Sequence, residues 1–281
     1  MYKSINQWSF PASMPTADCL LAAKRAGFAG FEPAFADEGP LAPGAGTAGA
    51  RELRALADAE GMLLPSLASG LYWQHPLTAA DPAARRAAED IVRAQLDCAA
   101  ALGVGAILVV PGTVGRGFWG GSECTAYADA YARAQEALVR LAPEAEACGV
   151  DIGVENVWNN FLLSPLEMAR FLDEIGSPRV RAYFDVGNVV RTGEPADWIR
   201  TLGARITRVH VKDFRRSVDT IAGFCDLLSG DVDFAQVLAA LREVGYDGAL
   251  TAEMNPYAGY PTAMAEQTSR ALDYILAGSE G

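Results

Sequence analysis

One pattern is written seven times along this chain: an amphipathic helical stretch, a glycine that ends it, a short β-rich run, and then a polar or small residue. The copies read AGFAGFE ending at Glu32, EGMLLPS ending at Ser66, LGVGAILVVPG ending near Gly112, CGVDIGVE ending at Glu155, SPRVRAYFD ending at Asp185, LGARITRVH ending at His210 and VGYDGALTAE ending at Glu253. The opening SINQWSF supplies an eighth strand. Each junction glycine, from Gly27 and Gly61 through Gly103, Gly149, Gly176 and Gly203 to Gly245, falls where a helix needs a left-handed residue to stop, and a residue without Cβ adopts that conformation freely.

The stretches before these glycines carry apolar residues at spacings of three and four. Between Pro82 and Leu102 the stripe is Ala84, Ala88, Ile91, Gln95, Leu96, Ala99 and Leu102, and Phe234, Val237, Leu238, Leu241 and Val244 repeat it. The runs after the glycines are short and largely apolar, as strands of a parallel sheet covered on its outer face must be. Eight strands alternating with helices over residues 1–281 predict a single-domain α/β fold, a (β/α)8 TIM barrel. An open doubly wound sheet is the alternative, but no G-x-G-x-x-G turn follows the first strand.

Charge and cysteine usage narrow the partners. With 35 acidic against 23 basic side chains, the net charge is -12, and no Lys/Arg run is present to neutralise a phosphodiester backbone, so nucleic acid is not expected. The five cysteines (Cys19, Cys98, Cys124, Cys148, Cys225) are odd in number and never form a C-x-x-C pair, which suits a reducing cytoplasm better than a disulfide framework. Met1 to Phe10 lacks the apolar core of a signal peptide, and no run approaches the roughly 18 apolar residues of a membrane span.

In a barrel of this kind the strand C-termini converge on one face, so polar residues ending different strands meet in space. From the fifth strand to the eighth these are Glu155, Asp185, His210 and Glu253. Without a cation three carboxylates and an imidazole would shift one another's pKa sharply, whereas a divalent ion converts repulsion into coordination. Oxygen ligation with one nitrogen suits Mn2+ or Mg2+ first, with Co2+ or Zn2+ as alternatives. Taken singly, each of the four would be an ordinary solvated strand-end residue.

The runs V-E-N-V-W-N-N-F, Y-F-D-V-G-N, V-H-V-K-D and L-T-A-E-M resemble those of the xylose-isomerase-like barrel superfamily, in particular its sugar-phosphate isomerase/epimerase branch. The resemblance covers the chain from I-N-Q-W-S-F to the A-L-D-Y-I-L tail. It implies that Glu155, Asp185, His210 and Glu253 hold one divalent metal, and that the two glutamates double as an acid/base pair. It also implies a homo-oligomer of unspecified symmetry. One departure stands out: members similar to D-tagatose 3-epimerase carry a substrate-touching histidine three residues after the metal-binding aspartate, where this chain has Asn188.

The chemistry of a ketose isomerase or epimerase fits these residues. Moving a proton next to a carbonyl needs a metal to stabilise the enediolate and two carboxylates to remove and return the proton, roles open to Glu155 and Glu253. Lys212 is expected near the developing oxyanion, Glu32 and His75 on sugar hydroxyls, Asn188 beside the substrate, and Trp158 against the sugar carbons. The glycine-rich loop Gly112–Gly121 reads as a mobile lid, and Arg215 with Arg216 as a phosphate site. A dehydratase of the inosose dehydratase type would use the same metal site. A nuclease of the endonuclease IV type would need several histidines, and this chain has only His75 and His210. A non-catalytic sugar-binding barrel is the remaining class.

Overall fold

The computed structural model describes residues 1–116 and 124–278. The first half of the chain forms β1 (Tyr2–Asn6), α1 (Thr16–Arg25), β2 (Gly30–Glu32), β3 (Ala34–Phe35), α2 (Ala48–Glu60), β4 (Ala68–Ser69), α3 (Pro82–Leu102), β5 (Ala106–Val109), α4 (Tyr127–Cys148) and β6 (Asp151–Glu155). The second half continues with α5 (Pro165–Ile175), β7 (Val180–Asp185), α6 (Val186–Val189), α7 (Pro195–Leu202), β8 (Ile206–Val211), β9 (Asp213–Phe214), β10 (Phe224–Cys225), α8 (Phe234–Glu243), β11 (Ala249–Ala252) and α9 (Pro261–Ala277).

Seven strands share one sheet in the order β2-β1-β11-β8-β7-β6-β5, and every pairing is parallel. The last strand pairs with the first, Tyr2 opposite Ala249, a cyclic order that an open doubly wound sheet does not have. The expected third strand is irregular. Pro65 interrupts it, because proline has no N–H to donate to a ladder. Its flanks still bond to both neighbours: Leu63 exchanges hydrogen bonds with Ala29 and Phe31 beside β2, and Leu67 with Ala106 and Leu108 of β5.

The helices end as expected. Gly103 (φ 67°) and Gly149 (φ 71°) are left-handed caps of α3 and α4, and Gly203 instead leads into a 3-10 turn. Their starts are built by side chains: Asp81 accepts from the Ala83 N–H, Ser164 from the Glu167 N–H and Asp233 from the Gln236 N–H. On α3 the buried stripe runs through Ala88, Val92, Gln95, Leu96, Ala99 and Leu102, while Ala84 is exposed and Ile91 lies at the margin. The strands are buried nearly throughout, and among the described residues no helix is long and apolar enough to cross a membrane.

Candidate metal centre and active-site cleft

Glu155 and Asp185 are the last residues of β6 and β7, His210 is one residue short of the end of β8, and Glu253 directly follows β11. The parallel register sets Asp185 opposite His210, so the four side chains arise at one level of the sheet. One ligand atom from each lies within 4.8 Å of the others.

Three atoms of this group, Glu155 Oε1, Asp185 Oδ2 and His210 Nδ1, are buried without a hydrogen-bond partner. Leaving a buried polar atom unsatisfied costs about 1–3 kcal/mol, so three converging on one point call for a shared partner. Two carboxylate oxygens and an imidazole nitrogen fit a divalent cation, with Glu253 completing the set. The donors do not choose among Mn2+, Mg2+, Co2+ and Zn2+.

Charge balance around the site comes from Lys212, whose Nζ lies 3.1 Å from Glu253 Oε1 and 3.4 Å from Asp185 Oδ2. Burial would lower its pKa, but the Asp185 and Glu253 charges raise it, so it stays an ammonium. Gly187 makes this approach feasible: a Cβ there would stand 2.6 Å from the Lys212 Cβ.

The carboxylates diverge. Burial pushes Glu155 up to about 7 and also raises Asp185. Glu253 is only partly buried, and the Lys212 charge with the nearby His210 ring holds it down at about 2. Burial lowers His210, yet the Glu32 charge and hydrogen bond, with the Glu155 and Glu253 carboxylates close to Nδ1, raise it well above its ordinary value.

Motif residues brace these groups. Asn156 brackets the Asp185 backbone, its Nδ2 donating to the carbonyl at 2.8 Å and its Oδ1 accepting from the N–H at 2.9 Å. Asp185 Oδ1 accepts the Asn188 N–H (2.7 Å), Asn188 Nδ2 donates to the Asn156 carbonyl (3.0 Å), and Trp158 Nε1 donates to the Asn188 carbonyl (2.9 Å).

Above the cluster opens a cleft of about 600 Å³, within the roughly 300–1,000 Å³ range of small-molecule sites. Glu155, Glu253, Lys212, Asn188 and Trp158 line it, and Trp8, Trp73, Phe224, Met254 and Tyr257 form an apolar wall. Two expected sugar contacts are placed elsewhere. Glu32 is fully buried beneath the cluster, its Oε2 2.7 Å from His210 Nε2. His75 is exposed and does not line the cleft, because a 3-10 turn at Leu71–Trp73 buries Leu71 and Tyr72 and brings Trp73 to the wall instead.

The arginine pair does not line the cleft either. Arg215 Nε donates to the Ser229 carbonyl at 3.0 Å, and Arg216 pairs with Glu194 at 2.7 Å on the surface. Of the glycine-rich loop, residues 112–116 are described, with Gly115 paired to Thr125 at its base, and residues 117–121 lie outside the described residues.

Sequence reasoning missed Asn6, Ser66 and Tyr183, which all donate to Glu32, and the bracing role of Asn156. A signal existed for Tyr183, which stands two residues before Asp185 and therefore on the same face of β7. Gly153 of β6 gives it room, since a Cβ there would come within 2.8 Å of the tyrosine ring.

A D-psicose 3-epimerase of Enterocloster bolteae is 33% identical over 130 residues, 45% of this chain and 40% of that protein. An L-ribulose 3-epimerase of a Methylomonas species is 29% identical over 196 residues, 66% of this chain and 62% of that protein. The chain thus matches less than two thirds of the length of either relative. A solved L-ribulose 3-epimerase has the same fold, with a TM-score of 0.80 at 20% identity over 98% of this chain and 94% of that one. The family model described as xylose isomerase-like TIM barrel matches residues 20–275, and the chain belongs to that family.

Proposed function

We propose that this chain, as one barrel over residues 1–281, is a divalent-metal-dependent isomerase or epimerase of a ketose or sugar phosphate. The observation that carries the reading is the set of three orphaned buried atoms, Glu155 Oε1, Asp185 Oδ2 and His210 Nδ1, facing Glu253 at the floor of a cleft. The names of the 3-epimerase relatives support the same class.

A bound divalent ion supplies Lewis-acid polarisation of a carbonyl and its neighbouring hydroxyl. The protein supplies the proton chemistry. Glu155 and Glu253 stand three strands apart on the rim, β6 against β11, so they flank whatever enters between them. Their environments push their pKa values in opposite directions, the pattern that separates an acid from a base. One carboxylate takes the proton next to the carbonyl and becomes protonated, and the other, protonated at the start, gives its own proton to the opposite face. Lys212 Nζ adds positive charge beside the developing oxyanion, and Trp158 with the other aromatic residues of the wall excludes water from the carbon skeleton.

Incubating Mn2+-reconstituted protein with a panel of ketoses and ketose phosphates in D2O tests the reading. Deuterium at the carbon next to the carbonyl, detected by NMR, is the expected result. Release of water with an unsaturated or keto product would instead assign a dehydratase. Binding without exchange or conversion would leave a sugar-binding barrel.

A further inference from the structure

We infer that Glu32 is a positioning residue: it fixes His210 in the tautomer and ring orientation that present Nδ1 to the divalent ion. The inference rests on the metal reading above and concerns a residue that neither binds the ion nor lines the cleft.

The hydrogen-bond inventory around Glu32 fixes which nitrogen of His210 carries the proton that faces it. Asn6 Oδ1 accepts the Trp8 backbone N–H at 2.6 Å, which fixes the amide and turns its Nδ2 toward Glu32 Oε2. Ser66 Oγ lies 2.5 Å from Glu32 Oε1, and the Tyr183 hydroxyl bonds to the same oxygen. The carboxyl group is thus ringed by donors. Each of these three partners meets Glu32 as a donor, so the carboxyl group serves as the acceptor on both oxygens.

An acceptor-only Oε2 lying 2.7 Å from His210 Nε2 requires the hydrogen on that nitrogen. With the Nε2 proton held by Glu32, Nδ1 is the nitrogen that gives up its proton to a metal, and it faces Glu155 Oε1 at 3.4 Å and Glu253 Oε2 at 3.1 Å. The ring is also wedged edge-on against Tyr183, with centroids 4.7 Å apart. Carboxylate partners of this kind orient a ligating histidine and raise its basicity, and losing one costs about 10–100-fold in metal affinity.

The test uses the full chain, stripped and reloaded with a single metal. Mn2+ affinity is measured by electron paramagnetic resonance for wild type, Glu32→Gln, Glu32→Ala and Tyr183→Phe. Glu32→Gln and Glu32→Ala should weaken Mn2+ binding roughly 10–100-fold, and Tyr183→Phe, which keeps the carboxylate, should weaken it less. The histidine 15N spectrum of wild type loaded with Zn2+ needs no variant to fold, and with only His75 and His210 in the chain it is readily assigned. It should show His210 coordinated through Nδ1 and carrying a slowly exchanging proton on Nε2, a proton that exchanges faster in Glu32→Gln.

Wild-type Mn2+ affinity in both Glu32 variants would overturn the positioning role while leaving the metal site intact. So would coordination through Nε2 in the wild-type spectrum. Wild type that binds no Mn2+ would overturn the metal reading, and this inference with it.

Discussion

Lys212 Nζ sits 3.1 Å from Glu253 Oε1 and 3.4 Å from Asp185 Oδ2, placing a mostly buried ammonium on the flank of the carboxylate cluster. Removing it leaves two carboxylates with less compensation in a site where Asp185 has no solvent exposure. Lys212→Met should destabilise metal-stripped protein by about 3–5 kcal/mol, the usual cost of breaking a buried pair from one side. Mn2+ should recover part of that loss, since an ion supplies positive charge to the same carboxylates. Urea unfolding with EDTA and with Mn2+ measures both quantities, and a loss that is small and equal in the two series would contradict this account.

Glu155→Gln and Glu253→Gln should each lower turnover by about 10²–10⁴-fold, the typical contribution of a positioned acid or base. An amide preserves shape and still offers one oxygen, so sugar binding should change far less than kcat. Steady-state kinetics with parallel metal analysis checks this. Variants that hold metal and keep wild-type turnover would require another base.

Stability of the metal-stripped protein should fall with rising pH, Glu155 being one source beside Asp185 and His210. Burial moves the Glu155 carboxyl from an ordinary 4.5 to about 7. A carboxyl raised by folding contributes stability that is complete below its unfolded value and lost as pH rises through the folded one. Glu253 has the opposite sign: held at about 2, it contributes stability above about 4.5 that is lost only in stronger acid. Thermal melts in EDTA from about pH 5 to pH 8 should therefore show a decline that Glu155→Gln reduces, while His210, also raised by folding, sustains it above about pH 6.5. Mn2+ binding should release protons and weaken below about pH 7, which calorimetry in two buffers of different ionisation enthalpy reads directly.

The cysteines should separate by burial. Cys19 and Cys98 are pushed up to about 12 by burial, while Cys124 is exposed. The thiolate is the reactive form, so at about pH 8 a thiol reagent should modify Cys124 in the folded protein and reach Cys19 and Cys98 only after denaturation. Mass spectrometry of the labelled peptides decides it.

Much of this was legible in the sequence because barrels convert strand ends into spatial neighbours. The helix–glycine–strand pattern placed Glu155, Asp185, His210 and Glu253 together without any knowledge of their contacts. The same rule overreached at Glu32. A strand-end residue in a barrel can point up into the cleft or inward beneath it, and a strand of three residues, all buried, shows no polar alternation to tell which. His75 failed for a different reason: the turn that carries it is shaped by burial of Leu71 and Tyr72, a tertiary choice that local spacing does not encode. The aromatic wall escaped notice because Trp8, Trp73 and Tyr257 come from three loops with no shared pattern.

Around the ring, the backbone ladder is continuous from β2 through β1, β11, β8, β7 and β6 to β5, and thin across residues 63–67, where Pro65 withholds a donor. The molecule is built like a bracelet with a clasp. Thermal opening should begin at the clasp, because sparse hydrogen bonding marks the least protected part of a fold, and Glu155, Asp185, His210 and Glu253 all ride on the continuous arc. Glu32 and Ser66 stand on opposite sides of one edge of that clasp, joined at 2.5 Å, and Glu32 is in turn tied to His210. An ion that immobilised His210 would therefore also act as a rivet, tightening the ring at its weakest link from the far side of the barrel.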